Sequence, residues 1–154
     1  MPQLVKGGKY IFGWSKVGKE GKIRIPPEAY EEYNLKKDIY AILFSGSKTS
    51  GGFGLSSVRI LKNSVMKDVL EQNNKLAKYK IAEGEVVQFK NRKYAWVEIR
   101  EDGIIYLPKN TLEAFKINYN DLLLSGRGSY LAIGFIAKGP IFNEAIKHPE
   151  LQVF

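Results

Sequence analysis

One sequence unit constrains this chain more than any other feature, because the chain carries it twice. The first copy begins Gly21-Lys-Ile-Arg-Ile-Pro-Pro27 and continues through Glu28 to Asp38. Ile23 and Ile25 alternate with Lys22 and Arg24, which predicts a strand with one apolar and one cationic face. Pro26 cannot donate to a ladder and Pro27 suits the first turn of a helix, so the strand stops and a short helix begins. Tyr30 and Tyr33 fall on one side of that helix, with Glu31 and Glu32 between them. Leu35 anchors the exit, and Asp38 precedes the apolar run 39–44.

The second copy repeats the grammar. Gly103-Ile-Ile-Tyr-Leu-Pro108 restates the strand, Leu112 and Phe115 take the places of Tyr30 and Tyr33, and Ile117 takes that of Leu35. Upstream, Trp14 matches Trp96 and Val17 matches Ile99. From the tryptophan to the residue after the helix the match needs no gap; one extra residue enters before Asp121, which precedes the run 122–124. A period of this kind defines the architectural unit, and the chain reads as a tandem duplication.

The two stretches, GKIRIPPEAYEEYNLKKD and GIIYLPKNTLEAFKINYND, resemble the swapped-hairpin domain of the AbrB, SpoVT and MazE families. The resemblance covers the central part of each half, about half of the chain. The first copy lacks the residue before Asp38, and the second has Asn120 where the family usually has glycine. The resemblance implies hairpins that interleave into a small β-barrel, found in DNA-binding regulators and antitoxins. The expected fold is therefore mainly β with short helices, two swapped-hairpin repeats forming an interlocked pseudo-dimeric barrel. Residues 1–62 form the first repeat, 63–84 a helical connector, and 85–154 the second repeat with a C-terminal tail.

Element by element, residues 1–9 are polar and glycine-bearing, a loosely held start. Aromatic and β-branched residues make 10–17 a strand, and the turn 18–21 predicts a hairpin with 22–26. A strand over 38–44, the glycine-rich turn 45–54 and a strand over 55–61 follow. Residues 63–80 carry an incomplete apolar stripe of Val65, Met66, Val69 and Leu76, capped by Asn63 or Ser64, and read as one longer helix. Strands over 85–89 and 94–99 flank the turn 90–93. After the second copy, a turn at 125–129 leads to a strand over 130–137, then a short helix over 141–147 stopped by His148-Pro149. Leu151, Val153 and Phe154 suggest a terminal edge strand.

The formal charge of +8 points to an anionic partner, the plain alternative being a basic surface with none. The chain has no cysteine, so it forms no disulfides or thiolate metal sites, which suits a reducing cytoplasm. No apolar run approaches the roughly 20 residues that span a bilayer, and the first ten residues contain no signal-peptide core. A chain of this length buries roughly 70% of its unfolded surface and needs no staples.

Chemistry for catalysis is thin. The one histidine, His148, sits beside a proline, and the carboxylate pairs Glu31–Glu32 and Glu101–Asp102 are adjacent in sequence, so they do not share a helix face. No catalytic residue, metal site or cofactor is expected. Gly46-Ser-Lys48-Thr49 superficially resembles a phosphate-binding loop but lacks the first glycine of that spacing and no amphipathic helix follows it, so it reads as a flexible β-turn.

The two copies differ in charge. The outer face of the first strand carries Lys22 and Arg24, backed by Lys16 and Lys19. The second carries Ile104 and Tyr106, with Glu98, Glu101 and Asp102 nearby. Lys16, Lys19, Lys22 and Arg24, with the turn cations Lys48 and Arg127, are the candidate contacts to double-stranded DNA. The lysines of the connector read as solvated. Ile104 and Tyr106 form an apolar face that the connector, the tail or a second chain must cover, and so mark a candidate homodimer interface. The expected function is a cytoplasmic, non-enzymatic DNA-binding transcriptional regulator of the AbrB/SpoVT type. The alternative is a barrel that binds a small anionic ligand or a protein partner without DNA.

Overall fold

The computed structural model describes residues 9–154; apart from Lys9, the loose start expected over 1–9 lies outside the described residues. The first copy comprises β1 (Ile11–Lys16), β2 (Lys22–Arg24), α1 (Pro27–Glu32), β3 (Tyr40–Ser45) and β4 (Phe53–Ser56). Short helices α2 (Val58–Leu61), α3 (Lys67–Gln72) and α4 (Asn74–Ala77) lead to β5 (Val87–Phe89). The second copy comprises β6 (Arg92–Glu98), β7 (Ile104–Tyr106), α5 (Lys109–Ala114), β8 (Leu122–Ser129) and β9 (Ala132–Ile136), followed by α6 (Pro140–Ala145). The chain is thus mainly β, with most strands in one antiparallel sheet ordered β1-β8-β9-β4-β3-β6-β5, and a separate β2–β7 pair. Among the described residues no helix is long and apolar enough to cross a membrane.

Strand pairing runs between the copies. β1 pairs with β8, placing Trp14 opposite Leu124 and Lys16 opposite Leu122. β6 pairs with β3 in the corresponding register, placing Trp96 opposite Ile42 and Glu98 opposite Tyr40. β2 and β7 pair through Ile23 opposite Ile105. These two isoleucines are equivalent positions of the repeat, so a local two-fold axis passes between them. The backbone keeps the equivalence elsewhere. Gly21 and Gly103 have φ of 74° and 72°, Glu20 and Asp102 of 60° and 64°, and Asn34 and Lys116 of 55° and 58°. At Gly21 a Cβ would lie 2.0 Å from the Leu107 carbonyl oxygen, so the strand crossing itself demands glycine.

The expected faces of the repeated strands hold. Ile23, Ile25, Ile105 and Leu107 are fully buried, joined in one core by Tyr33, Leu35, Phe115 and Ile117 from the helical segments. Phe53 stacks on both Phe135 and Phe115, at centroid distances of 4.7 and 5.6 Å. The connector covers a second cluster in which Leu61, Val69, Leu70 and Leu76 pack with Ile42 and Tyr94. A third cluster places α6 and Leu151 over Trp14, Leu124 and Ile136.

Several expectations are corrected. β1 and β2 do not form a ladder with one another; their link is a turn bond from Gly18 N–H to the Lys22 carbonyl and a bond from the Ser15 hydroxyl to the Arg24 carbonyl. The stretch 55–61 is split, because Ser57 leaves the strand and caps α2 through the Ile60 N–H. The helix expected over 63–80 is broken. At Asn73 the backbone leaves helical geometry, with φ −128° and ψ 64°, and Tyr79 takes a left-handed φ of 57°. Residues 125–129 are the end of β8 rather than a turn, which falls instead at Tyr130-Leu131. The sheet has two ends, β1 and β5, and no closed barrel is found among the described strands. The terminal edge strand is limited to a parallel bridge of Val153 with Trp14.

Because β1, β2 and β3 each pair with a strand of the other copy, residues 1–62 and 85–154 expressed separately should not fold as stable monomers. A dispersed NMR spectrum with cooperative melting from either monomeric fragment would contradict this. Burial supplies a second expectation. The Tyr33 hydroxyl donates to the carbonyls of Ser129 and Ala132 at 2.5 and 3.0 Å, and burial pushes its pKa up to about 12. The folded state therefore holds that proton more tightly than the unfolded chain. The stability this gives is complete below pH ~10 and lost as pH rises through ~12. Tyr33→Phe should cost about 0.5–1.5 kcal/mol at neutral pH and flatten the alkaline fall of stability, measured by urea unfolding across that range.

Candidate nucleic-acid interface

The pairing of β2 with β7 builds one small outer surface from both copies. In the antiparallel register Lys22 lies beside Tyr106 and Arg24 beside Ile104, all facing away from the buried Ile23–Ile105 pair. Lys22 and Arg24 are exposed, whereas Ile104 and Tyr106 are half-buried. The Arg100 guanidinium lies 4.8 Å from the Tyr106 ring centroid, covering the phenol with a further cation. Lys16 at the end of β1 joins Lys22, Arg24, Asp102, Ile104 and Phe154 around a depression of about 470 Å³. Lys19 is exposed in the turn between β1 and β2.

The backbone under this surface is fixed from both sides. Ile25 N–H donates to the Gly103 carbonyl at 2.8 Å and Leu107 N–H to the Gly21 carbonyl at 3.0 Å, extending the β2–β7 pair at each end. The Ser15 hydroxyl donates to the Arg24 carbonyl at 2.9 Å and ties β2 to β1. Lys22 and Arg24 stand on a frame whose own hydrogen bonds are closed, while Arg100 lies 3.9 Å from the Glu98 carboxylate.

The six candidate DNA contacts divide among three places. Lys16, Lys22 and Arg24 gather around the β2–β7 surface, with Lys19 exposed in the turn that leads into β2. Lys48 lies in the loop between β3 and β4, on a different concavity. Arg127 is on β8 and already has a partner: its Nε and Nη2 each donate to a Glu32 carboxylate oxygen at 2.6 Å. That bond holds the Glu32 carboxyl below its usual range. The same guanidinium sits 4.6 Å from the Tyr10 ring centroid, and the Tyr10 hydroxyl donates to Glu28. Sequence reading placed Arg127 in a turn because Ser-Gly-Arg-Gly-Ser is rich in turn residues; as a strand end it is a bidentate ion-pair partner.

The candidate dimer residues fall on this same surface. Ile104 and Tyr106, expected to be covered by the connector, the tail or a second chain, lie half-buried beside Lys22 and Arg24. A chain seated on them would cover Lys22 and Arg24 as well. The connector does not lie here, since α2–α4 pack on the Ile42 and Tyr94 side of the large sheet. Sequence reading missed Arg100, whose only signal was its place two residues after Glu98 in a stretch read as acidic. His148 lies between Glu144 and Glu150 at the end of α6, and its bond with Glu150 raises its pKa. Compared with known proteins, the chain matches no family model and no curated protein.

The strand geometry separates charge from core, and stability measurements test that separation. Lys22→Ala and Arg24→Ala should each shift unfolding free energy by less than about 0.5 kcal/mol. Ile25→Ala, which empties a fully buried site, should cost about 2–5 kcal/mol. Equal losses of thermal midpoint in the two kinds of variant would mean the faces are reversed.

Proposed function

We propose that this chain is a cytoplasmic, non-enzymatic regulator that binds double-stranded DNA, built from two swapped-hairpin repeats of the AbrB/SpoVT kind joined in one chain. The cross-copy pairing of β1 with β8, β2 with β7 and β3 with β6 supports the repeat reading, because interleaved hairpins require it. The observation that carries the DNA reading is the convergence of Lys16, Lys22 and Arg24 at the β2–β7 surface, with Lys19 in the adjoining turn. There they meet Arg100 and Tyr106 of the second copy. A cationic strip with an aromatic and an aliphatic side chain at its centre suits a phosphate backbone flanking a groove.

One protomer offers this surface once, and DNA on it leaves no room for a second chain at Ile104 and Tyr106. The reading is therefore of a pseudo-dimer that binds as a single chain. If four of its cations neutralise phosphates, log affinity should fall with log salt at a slope of about −3.6, a loss of roughly 150-fold between 50 and 200 mM. Binding of random and selected duplexes across a salt series, with mass by light scattering, measures this. Removing Lys22 and Arg24 should make the slope shallower by about two. No binding at low salt would sink the DNA reading and leave a module that binds a ligand or a protein partner.

A further inference from the structure

A concavity of about 690 Å³ opens between the β3–β4 loop, the β5–β6 hairpin and the end of α5. Four lysines line it: Lys48, Lys93, Lys116 and Lys138, each from a different segment. The single carboxylate in the lining, Asp121, is occupied in accepting the Asn118 N–H at 2.9 Å. Among the described residues none of the four lysines forms an ion pair. Like charges gathered in one concavity focus a positive potential there.

The repeat shows why this place is open. In strand register and helix position Ser45 corresponds to Arg127, Ala114 to Glu32 and Lys116 to Asn34. In one half the Arg127–Glu32 ion pair joins β8 to α1. In the other half the same two positions hold Ser45 and Ala114, too short to meet, and both line the concavity. This half has no such ion pair at those positions, and cations from four segments surround the space.

The rim is also built. Gly46 N–H donates to the Gly52 carbonyl and Gly51 N–H to the Ser47 carbonyl, while the Ser50 carbonyl accepts from Ala137 and Lys138. These bonds tie the Lys48 loop to the end of β9 that carries Lys138. A Cβ at Gly52 would lie 2.0 Å from the Phe135 carbonyl oxygen, so only glycine permits this approach. The volume is that of a small-molecule site rather than a groove for duplex DNA.

The geometry points to a binding site for a small oligophosphate, with Lys48, Lys93, Lys116 and Lys138 as its charged contacts. This inference is independent of the DNA reading, whose β2–β7 surface uses other residues.

The test is calorimetric titration of the full chain with sodium tripolyphosphate at about 150 mM salt. Saturable one-to-one binding is expected. Lys93→Ala combined with Lys116→Asn, the residue of the first copy, should weaken it at least about tenfold. Ser45→Arg with Ala114→Glu, which rebuilds the ion pair in this half, should abolish it. Should that variant fail to fold, Lys48→Ala with Lys138→Ala alters only exposed loop positions and should also weaken binding. Lys22→Ala with Arg24→Ala should leave it unchanged. ATP in a parallel titration separates the sources: tighter binding than tripolyphosphate assigns a nucleotide, equal or weaker binding a bare phosphate chain. Binding that falls equally in the Lys22/Arg24 variant is nonspecific attraction to net charge and overturns the proposal. So does absence of tripolyphosphate binding, including the case where the concavity variants instead weaken duplex DNA.

Discussion

The fold depends on the antiparallel meeting of β2 and β7 at Ile23 and Ile105. Each strand is three residues long, too short to stand alone, and each continues into a helix with proline at its N-cap that returns the chain to the large sheet. Fixing this crossing fixes which strand of one copy can reach which strand of the other. Gly21 allows the backbones to approach, and the isoleucine pair fills the space between them with no exposed surface. The large sheet then follows from the crossing: β1 pairs with β8 of the other copy, and β6 with β3.

Joining both copies in one chain removes the requirement that they be identical. A symmetric pair would carry the same residues on both sides of the axis. Here one side presents Lys22 and Arg24 and the other Ile104 and Tyr106; one half keeps the Arg127–Glu32 ion pair and the other has Ser45 and Ala114. Both differences sit at positions that the core does not need, so divergence there cost little stability. The connector contributes as well, making strand pairing intramolecular and its strength independent of protein concentration.

Much of the fold was legible in the sequence. The alternation in Lys22–Ile25 and the proline stops located strands and helices, because backbone sterics and burial act locally on those residues. The duplication was visible because both copies must satisfy the same crossing. The partners of the strands were not legible: the turn at residues 18–21 reads as a hairpin, yet β1 gains more by pairing with β8, along most of its length, than with three-residue β2. The connector misled for another reason, since its apolar residues permit a helix while the backbone turns out of helical geometry at Asn73. For the site, the cations of the first copy could be named, but their convergence with Arg100 and Tyr106 could not. It arises from a register between residues far apart in the chain.

A sheet that does not close exposes two rows of unpaired amides and carbonyls, and these invite another strand. Here both borders are blunted. Along β1 the amide and carbonyl of Trp14 are taken by Gln152 and Phe154, and the Lys16 amide by the Phe154 carbonyl. At the other border β5 is three residues long, runs straight into a tight turn at Lys90 and Asn91, and has its own cation over Phe89. A protein with this much β-structure and this open a sheet is thereby shielded from stacking edge to edge into aggregates.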